Sequence, residues 1–145
     1  MPKGIKGSTP TFTCLNCGTE QKCKLGHNYQ NKYCNNKCQG EHKNKLWYET
    51  NLPLYEQGLL TSRAAYKKFV IKERGNQCSI CGQQPEHNGK PLVMILDHID
   101  GDASNNKPEN FRLVCPNCDT QLDTYKARNR GNGRQSKGMK WYSQL

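Results

Sequence analysis

Asp97 and His98 stand side by side, an oxygen ligand next to an imidazole. Asn110 comes later, and a further carboxylate, Asp119, sits directly after Cys118. These are the polar groups that hydrolysis of a phosphodiester would need. The reaction requires an activated water and a means of neutralising charge on the attacked phosphate and the leaving oxygen. An imidazole titrating near neutral pH can take the proton from that water. Carboxylates are hard ligands, so a divalent ion held by Asp97 and Asp119 would be Mg²⁺ or Mn²⁺, with waters and phosphate oxygens completing an octahedron. Taken alone, Asp97-His98 reads more simply as a turn-closing Asp and a surface His. Its position between two cysteine pairs, with Asn110 and Asp119 following, argues for chemistry instead.

Eight of the nine cysteines fall into four close pairs: Cys14/Cys17, Cys34/Cys38, Cys78/Cys81 and Cys115/Cys118. Thiolates with two or three residues between them can grip one tetrahedral Zn²⁺ from a tight turn, and two such pairs complete its shell. The first four cysteines are therefore expected to hold one zinc and the last four a second. Such sites are closed, with no open position for water, so the reactive ion must lie elsewhere. A disulfide scaffold is the alternative. It needs an oxidising compartment, whereas the opening MPKGIKGSTP has no apolar signal segment, and a cytoplasmic setting is expected. Cys23, His27 and His42 are expected to be non-ligands.

These groups need elements to position them. The apolar run 92–96 has the length and β-branched content of a buried strand that ends in Asp97-His98. Adjacent strand residues point opposite ways, so Asp97 would face a metal while His98 reaches the far side of a phosphate. Gly101, Asp102, Ser104, Asn105, Asn106 and Pro108 form a turn-rich loop. A second strand, 111–114, leads into Cys115-Pro-Asn-Cys118. A following helix is expected to carry Asp119, Asp123 and Lys126 on one side; Asp123 would either support the ligand or face solvent. Upstream, Ser62 is an N-cap for a helix ending at Gly75. Its Tyr66, Phe69, Val70 and Glu73 share a face, leaving Lys67, Lys68, Lys72 and Arg74 in water. The second cysteine pair opens another helix, 35–49, with Lys37, Lys43 and Lys45 exposed.

Cys78-Ser-Ile-Cys81, Asn88-Gly89-Lys90-Pro91-Leu92, Asp97-His98-Ile99, Asn110-Phe-Arg-Leu-Val-Cys115, Cys115-Pro-Asn-Cys118 and Asp123-Thr124-Tyr125 follow one another in a familiar order. On these residues the stretch 75–129 resembles the HNH endonucleases, whose ββα-metal motif runs strand, loop, strand, metal knuckle, helix. The resemblance implies that Asp97 is a metal ligand, His98 the general base and Asn110 the amide bracing the loop. Asp119 departs from the pattern, since His or Asn often follows the last cysteine. The N-terminal cysteines resemble a treble-clef type of finger, similar to those preceding HNH domains in some phage endonucleases. The implied fold is a small zinc-stabilised α+β chain: finger 1–50, linker 51–61, nuclease domain 62–130 and basic tail 131–145.

Composition agrees. Only 33% of the 145 residues are hydrophobic and the mean hydropathy is −1.00, which suits small metal-held units better than one large core. A net charge of +10 implies an anionic partner, and residues 124–145 carry six basic groups and no acidic one. That distribution suits a phosphate backbone, although a soluble basic surface would look alike. Lys37, Lys43, Arg112, Lys126, Arg128, Arg130 and Arg134 are the candidate DNA contacts. The longest aliphatic run is 92–96, too short to span a membrane. The leading expectation is a metal-dependent endonuclease acting on duplex DNA, of phage or homing type. One rival is a non-catalytic zinc adaptor for nucleic acid or protein, which would need none of Asp97, His98 and Asp119. The other is an accessory nuclease of packaging or restriction.

Overall fold

The computed structural model describes residues 10–23 and 32–131. His27, Arg134 and nearly all of the expected basic tail lie outside them. The chain divides into two compact units, Met1–Thr50 and Asn51–Leu145.

In the first unit, β1 (Thr11–Thr13) pairs antiparallel with β2 (Glu20–Lys22). The turn between them carries Cys14 and Cys17. It is closed by Gly18 at φ 71°, whose N–H donates to Cys14 O at 2.9 Å. α1 spans Asn36–Glu56. Asn35 caps it, its Oδ1 accepting from Cys38 N at 2.8 Å. The helix begins where expected but runs on past the unit boundary. The segment 51–61, expected as a linker, is therefore helical through Glu56 and includes Pro53. A mid-helix proline removes one backbone hydrogen bond. Here burial of the following turn offsets that loss. Tyr55 is 1% exposed, stacks on Phe69 at 4.4 Å and donates its hydroxyl to Glu73 at 2.8 Å.

In the second unit, α2 (Arg63–Arg74) starts at Ser62, whose side chain accepts from Ala65 N at 3.1 Å, and ends at Gly75, φ 82°. Both caps match the sequence reading. β3 (Glu86–His87) and β4 (Lys90–Pro91) make a small hairpin around Asn88-Gly89, both at positive φ. That is the Asn-Gly turn chemistry of two-residue hairpins. β5 (Ile95–His98) and β6 (Phe111–Val114) pair antiparallel, with Asp97 opposite Arg112 and His98 opposite Phe111. α3 (Pro116–Gln121) follows directly.

Two expectations change here. The strand begins at Ile95, not at 92, and contains Asp97-His98; Val93 is 71% exposed. The helix after Cys118 stops at Gln121, so Asp123 and Lys126 do not share a face with Asp119. The reason is a tertiary contact. The chain turns at Leu122 and doubles back, so that Asn129 Nδ2 donates to Gly101 O at 2.7 Å.

One face of the β5–β6 hairpin carries Leu96, His98, Phe111 and Leu113, all buried. The apolar stripe of α2 meets it, with Tyr66 and Phe111 ring centres 4.9 Å apart. The basic residues of α2 do not all stay in water. Arg63 donates to Leu96 O, on the unpaired edge of β5, and Lys67 to Met94 O, just before the strand. Arg74 donates to Phe111 O and Pro108 O. Long cationic side chains lie along apolar surface while their heads find acceptors, and these cover sheet edges that would otherwise invite pairing. Among the described residues, no helix is long and apolar enough to cross a membrane.

Candidate functional site

The Sγ atoms of Cys14, Cys17, Cys34 and Cys38 lie within 4.8 Å of one another, as do those of Cys78, Cys81, Cys115 and Cys118. Both sets rest on the same local device. Gly18 N donates to Cys14 O and Cys14 N to Thr19 O; Gly82 N donates to Cys78 O and Cys78 N to Gln83 O. The partner pairs sit at helix starts, and Cys115 caps α3. The second knuckle is tied to the hairpin because Ser79 N and Oγ both donate to Leu113 O.

Within each set the surroundings pull the thiols' readiness to ionise apart. The Cys17 N–H foremost, aided by those of Cys34 and Asn16, draws the Cys14 thiol down to about 6 against burial. At Cys78 burial opposes ionisation, yet the N–H groups of Cys81, Cys115 and Ile80 outweigh it and hold the thiol at about 6. Cys34 and Cys118 are instead pushed up to about 12, by Cys38 and by Cys81 respectively, and then by burial. Four sulfurs this close can all be thiolates only with a cation between them. Among the described residues Cys23 and His42 lie outside both clusters. His42 packs on Tyr33, ring centres 5.6 Å apart.

Asp97 and Arg112 face each other across the ladder, with Arg112 Nε donating to Asp97 Oδ2 at 2.8 Å. Asp119 is in the first turn of α3, its N–H on Cys115 O at 2.9 Å. The Cys₄ knuckle therefore sets its position. Burial and then the Asp97 charge raise the Asp119 carboxyl above its ordinary value, opposed by Arg63 and Lys126. Asp97 and Asp119 are hard oxygen donors, the kind of side chain that could hold a hard divalent ion.

His98 occupies the opposite face of the hairpin and is 8% exposed. Its ring packs on Phe111 at 4.8 Å, and Nε2 lies 3.1 Å from Asn106 Oδ1. An amide oxygen only accepts, so Nε2 is the donor in this contact. Asn110 spans the loop between the strands. Its Oδ1 accepts from Asp100 N at 3.1 Å, and its Nδ2 donates to Asp100 Oδ1 and Asn105 O, each at 2.8 Å. Burial alone would raise the Asp100 carboxyl, but donors from Asn105, Asn110 and the Asp102 N–H hold it below its usual range. In the sequence Asn106 reads only as a turn residue, and Asp100 is not singled out. The amide-rich run Ser104-Asn105-Asn106 was the available signal, and it reads equally as turn chemistry.

The expected DNA contacts are dispersed. Lys37 and Lys43 are exposed on α1, Lys37 lying 3.9 Å from Glu41. Arg112 is engaged by Asp97. Lys126 lies 4.8 Å over the Tyr125 ring. Arg128 Nη1 donates to Thr120 O and Leu122 O, closing the end of α3. Arg130 is exposed.

Over 67 residues the chain is 36% identical to the H-N-H endonuclease F-TflIV of Escherichia phage T5. The similarity covers 45% of this chain and 29% of the phage protein, so the chain spans under a third of that relative's length. No family profile matches, and no solved structure matches significantly.

Proposed function

We propose that this chain is a metal-dependent DNA endonuclease of the HNH type. The observation that carries the reading is the arrangement at the end of β5. Asp97 lies in β5 and Asp119 in the first turn of α3, which starts at a Cys₄ cluster, close enough that the Asp97 charge raises the Asp119 carboxyl, and the residue after Asp97 is an imidazole hydrogen-bonded to Asn106. The partial similarity to a phage HNH endonuclease supports it. Residues 62–130 then form the ββα-metal nuclease domain, 1–50 a DNA-placing finger and 131–145 a basic tail. The two Cys₄ clusters hold structural Zn²⁺.

Asp97 and Asp119 hold the catalytic ion. When bound, Mg²⁺ or Mn²⁺ neutralises charge on the scissile phosphate and its leaving oxygen. His98 Nδ1 accepts a proton from the attacking water, while Asn106 holds Nε2–H so that the lone pair points in one direction. Asn110 keeps the intervening loop in shape. Lys37, Lys43, Arg112, Lys126, Arg128, Arg130 and Arg134 contact phosphates of duplex DNA, and the action is site-preferring nicking or double-strand cleavage. A homing or other phage-type role in a host cytoplasm fits this reading.

The test is conversion of supercoiled plasmid with Mg²⁺ or Mn²⁺, with and without EDTA. Wild type should cleave only with the divalent ion. His98→Ala should cleave ~10²–10⁴-fold more slowly while binding DNA as wild type does. DNA binding without cleavage by wild type would favour the zinc adaptor and refute the enzyme.

A further inference from the structure

Asp97 does not stand open to an incoming ion. Arg112 is its register partner across β5 and β6, and the Nε–Oδ2 contact is 2.8 Å. The side chains are 24% and 14% exposed. The Lys–Glu pairs on α1 are 3.9 Å apart and more than half exposed, which gives them little energetic weight. The Arg112–Asp97 pair is shorter, more covered and set into a strand ladder. Two carboxylates without a metal need a compensating cation, and Arg112 is in direct contact with one of them. A guanidinium stays charged at any working pH, and its fork matches a phosphate as well as a carboxylate.

We propose that Arg112 is the exchangeable counter-ion of this site. It neutralises and orients Asp97 while the site is empty, then yields Asp97 Oδ2 to the divalent ion and turns its guanidinium to a phosphate oxygen of the bound DNA. Arg112 is thus a positioning residue, and the inference rests on the nuclease reading above. Loading the ion without DNA leaves Arg112 beside a dication with no anion of its own, which weakens metal binding. Adding DNA supplies that anion. Metal and DNA therefore assist each other through one side chain, and the coupling is reciprocal.

The experiment is Mn²⁺ binding to the zinc-loaded full chain, followed by electron paramagnetic resonance, without DNA and with a non-cleavable phosphorothioate duplex. Without DNA, Arg112→Gln should bind Mn²⁺ about tenfold more tightly than wild type, the scale of a dication–cation repulsion across one side chain in a water-like medium. Arg112→Lys, which keeps the charge, should stay near wild type. With duplex present, the gain in Mn²⁺ affinity should be smaller for Arg112→Gln than for wild type. A merely structural role predicts the opposite sign, because damage to Asp97's setting weakens binding. Equal or weaker Mn²⁺ binding by Arg112→Gln overturns the proposal. If that variant loses its zinc, tight Mn²⁺ binding by Arg112→Lys would equally overturn it, and near-wild-type binding would support it. Asp119→Asn separates the two readings. If it abolishes Mn²⁺ binding while Arg112 variants change nothing, the counter-ion idea alone fails. If neither wild type nor Asp119→Asn binds Mn²⁺, the nuclease reading fails with it.

Discussion

Gly101, in the loop that leaves the site, should tolerate a side chain poorly. It sits three residues after His98 at φ 73°, with its N–H on His98 O at 2.9 Å. A Cβ there would lie 2.7 Å from Asn129 Oδ1 and 2.7 Å from Thr124 Cγ2. Two costs of Gly101→Ala can be separated. Left-handed backbone costs an L-residue ~1–2 kcal/mol. Relieving the overlap costs ~1–3 kcal/mol, of which the hydrogen bond from Asn129 to Gly101 O is about 1 kcal/mol. The sum, ~2–5 kcal/mol, is a large part of the 5–15 kcal/mol typical of a domain. Urea unfolding of zinc-loaded protein at fixed free Zn²⁺ reads it as a lower midpoint with an unchanged slope. Asn129→Ala alone should cost about 1 kcal/mol. In that background Gly101→Ala should cost less than in wild type, because the Asn129 side chain no longer obstructs the methyl, giving a coupling of ~0.5–1 kcal/mol or more. Cleavage should fall as well, since this loop carries Asn106 to His98. A cost below ~0.5 kcal/mol for Gly101→Ala, or strict additivity with Asn129→Ala, would refute the contact.

Metal analysis of protein purified without added metal should give about two zinc per chain by the shell-counting argument; zinc near zero with disulfides by mass spectrometry would remove the scaffold. Asn106→Ala should slow cleavage ~10–100-fold, the range for groups that orient a functional imidazole, and Asn106→Asp, which restores an acceptor, should recover part of it. Unchanged cleavage by Asn106→Ala would detach Asn106 from His98. Asp119→Asn should stabilise the zinc-loaded protein at neutral pH when no Mg²⁺ or Mn²⁺ is present. The Asp119 carboxyl is raised in the folded chain by burial and by Asp97, so its charged form is a burden above that pKa and none once acid protonates it. The gain should therefore disappear as the pH falls through the carboxylate range; a gain that persists in acid would contradict the assigned cause.

Much of the scaffold is local and was legible. The four cysteine pairs place their sulfurs by turn geometry, Ser62 and Gly75 bound α2 by capping, and β6 begins where its apolar run begins. The opposite facing of Asp97 and His98 follows from the two-residue period of a strand. What the sequence could not decide depends on packing between distant positions. Spacing at 119, 123 and 126 is as compatible with a long helix as with a short one; α3 stops at Gln121 because Asn129 returns to Gly101, 28 positions away. Pro53 reads as a helix end, yet α1 passes it because Tyr55 is buried against Phe69. Lys67 and Arg74 read as solvated until α2 lies on the hairpin and brings them to carbonyls at its edges. The same holds for the contacts that tune the candidate site. Asn106 reaches His98 through an irregular loop, and Arg112 meets Asp97 only in this register, since a slip of one residue would send the two side chains to opposite faces.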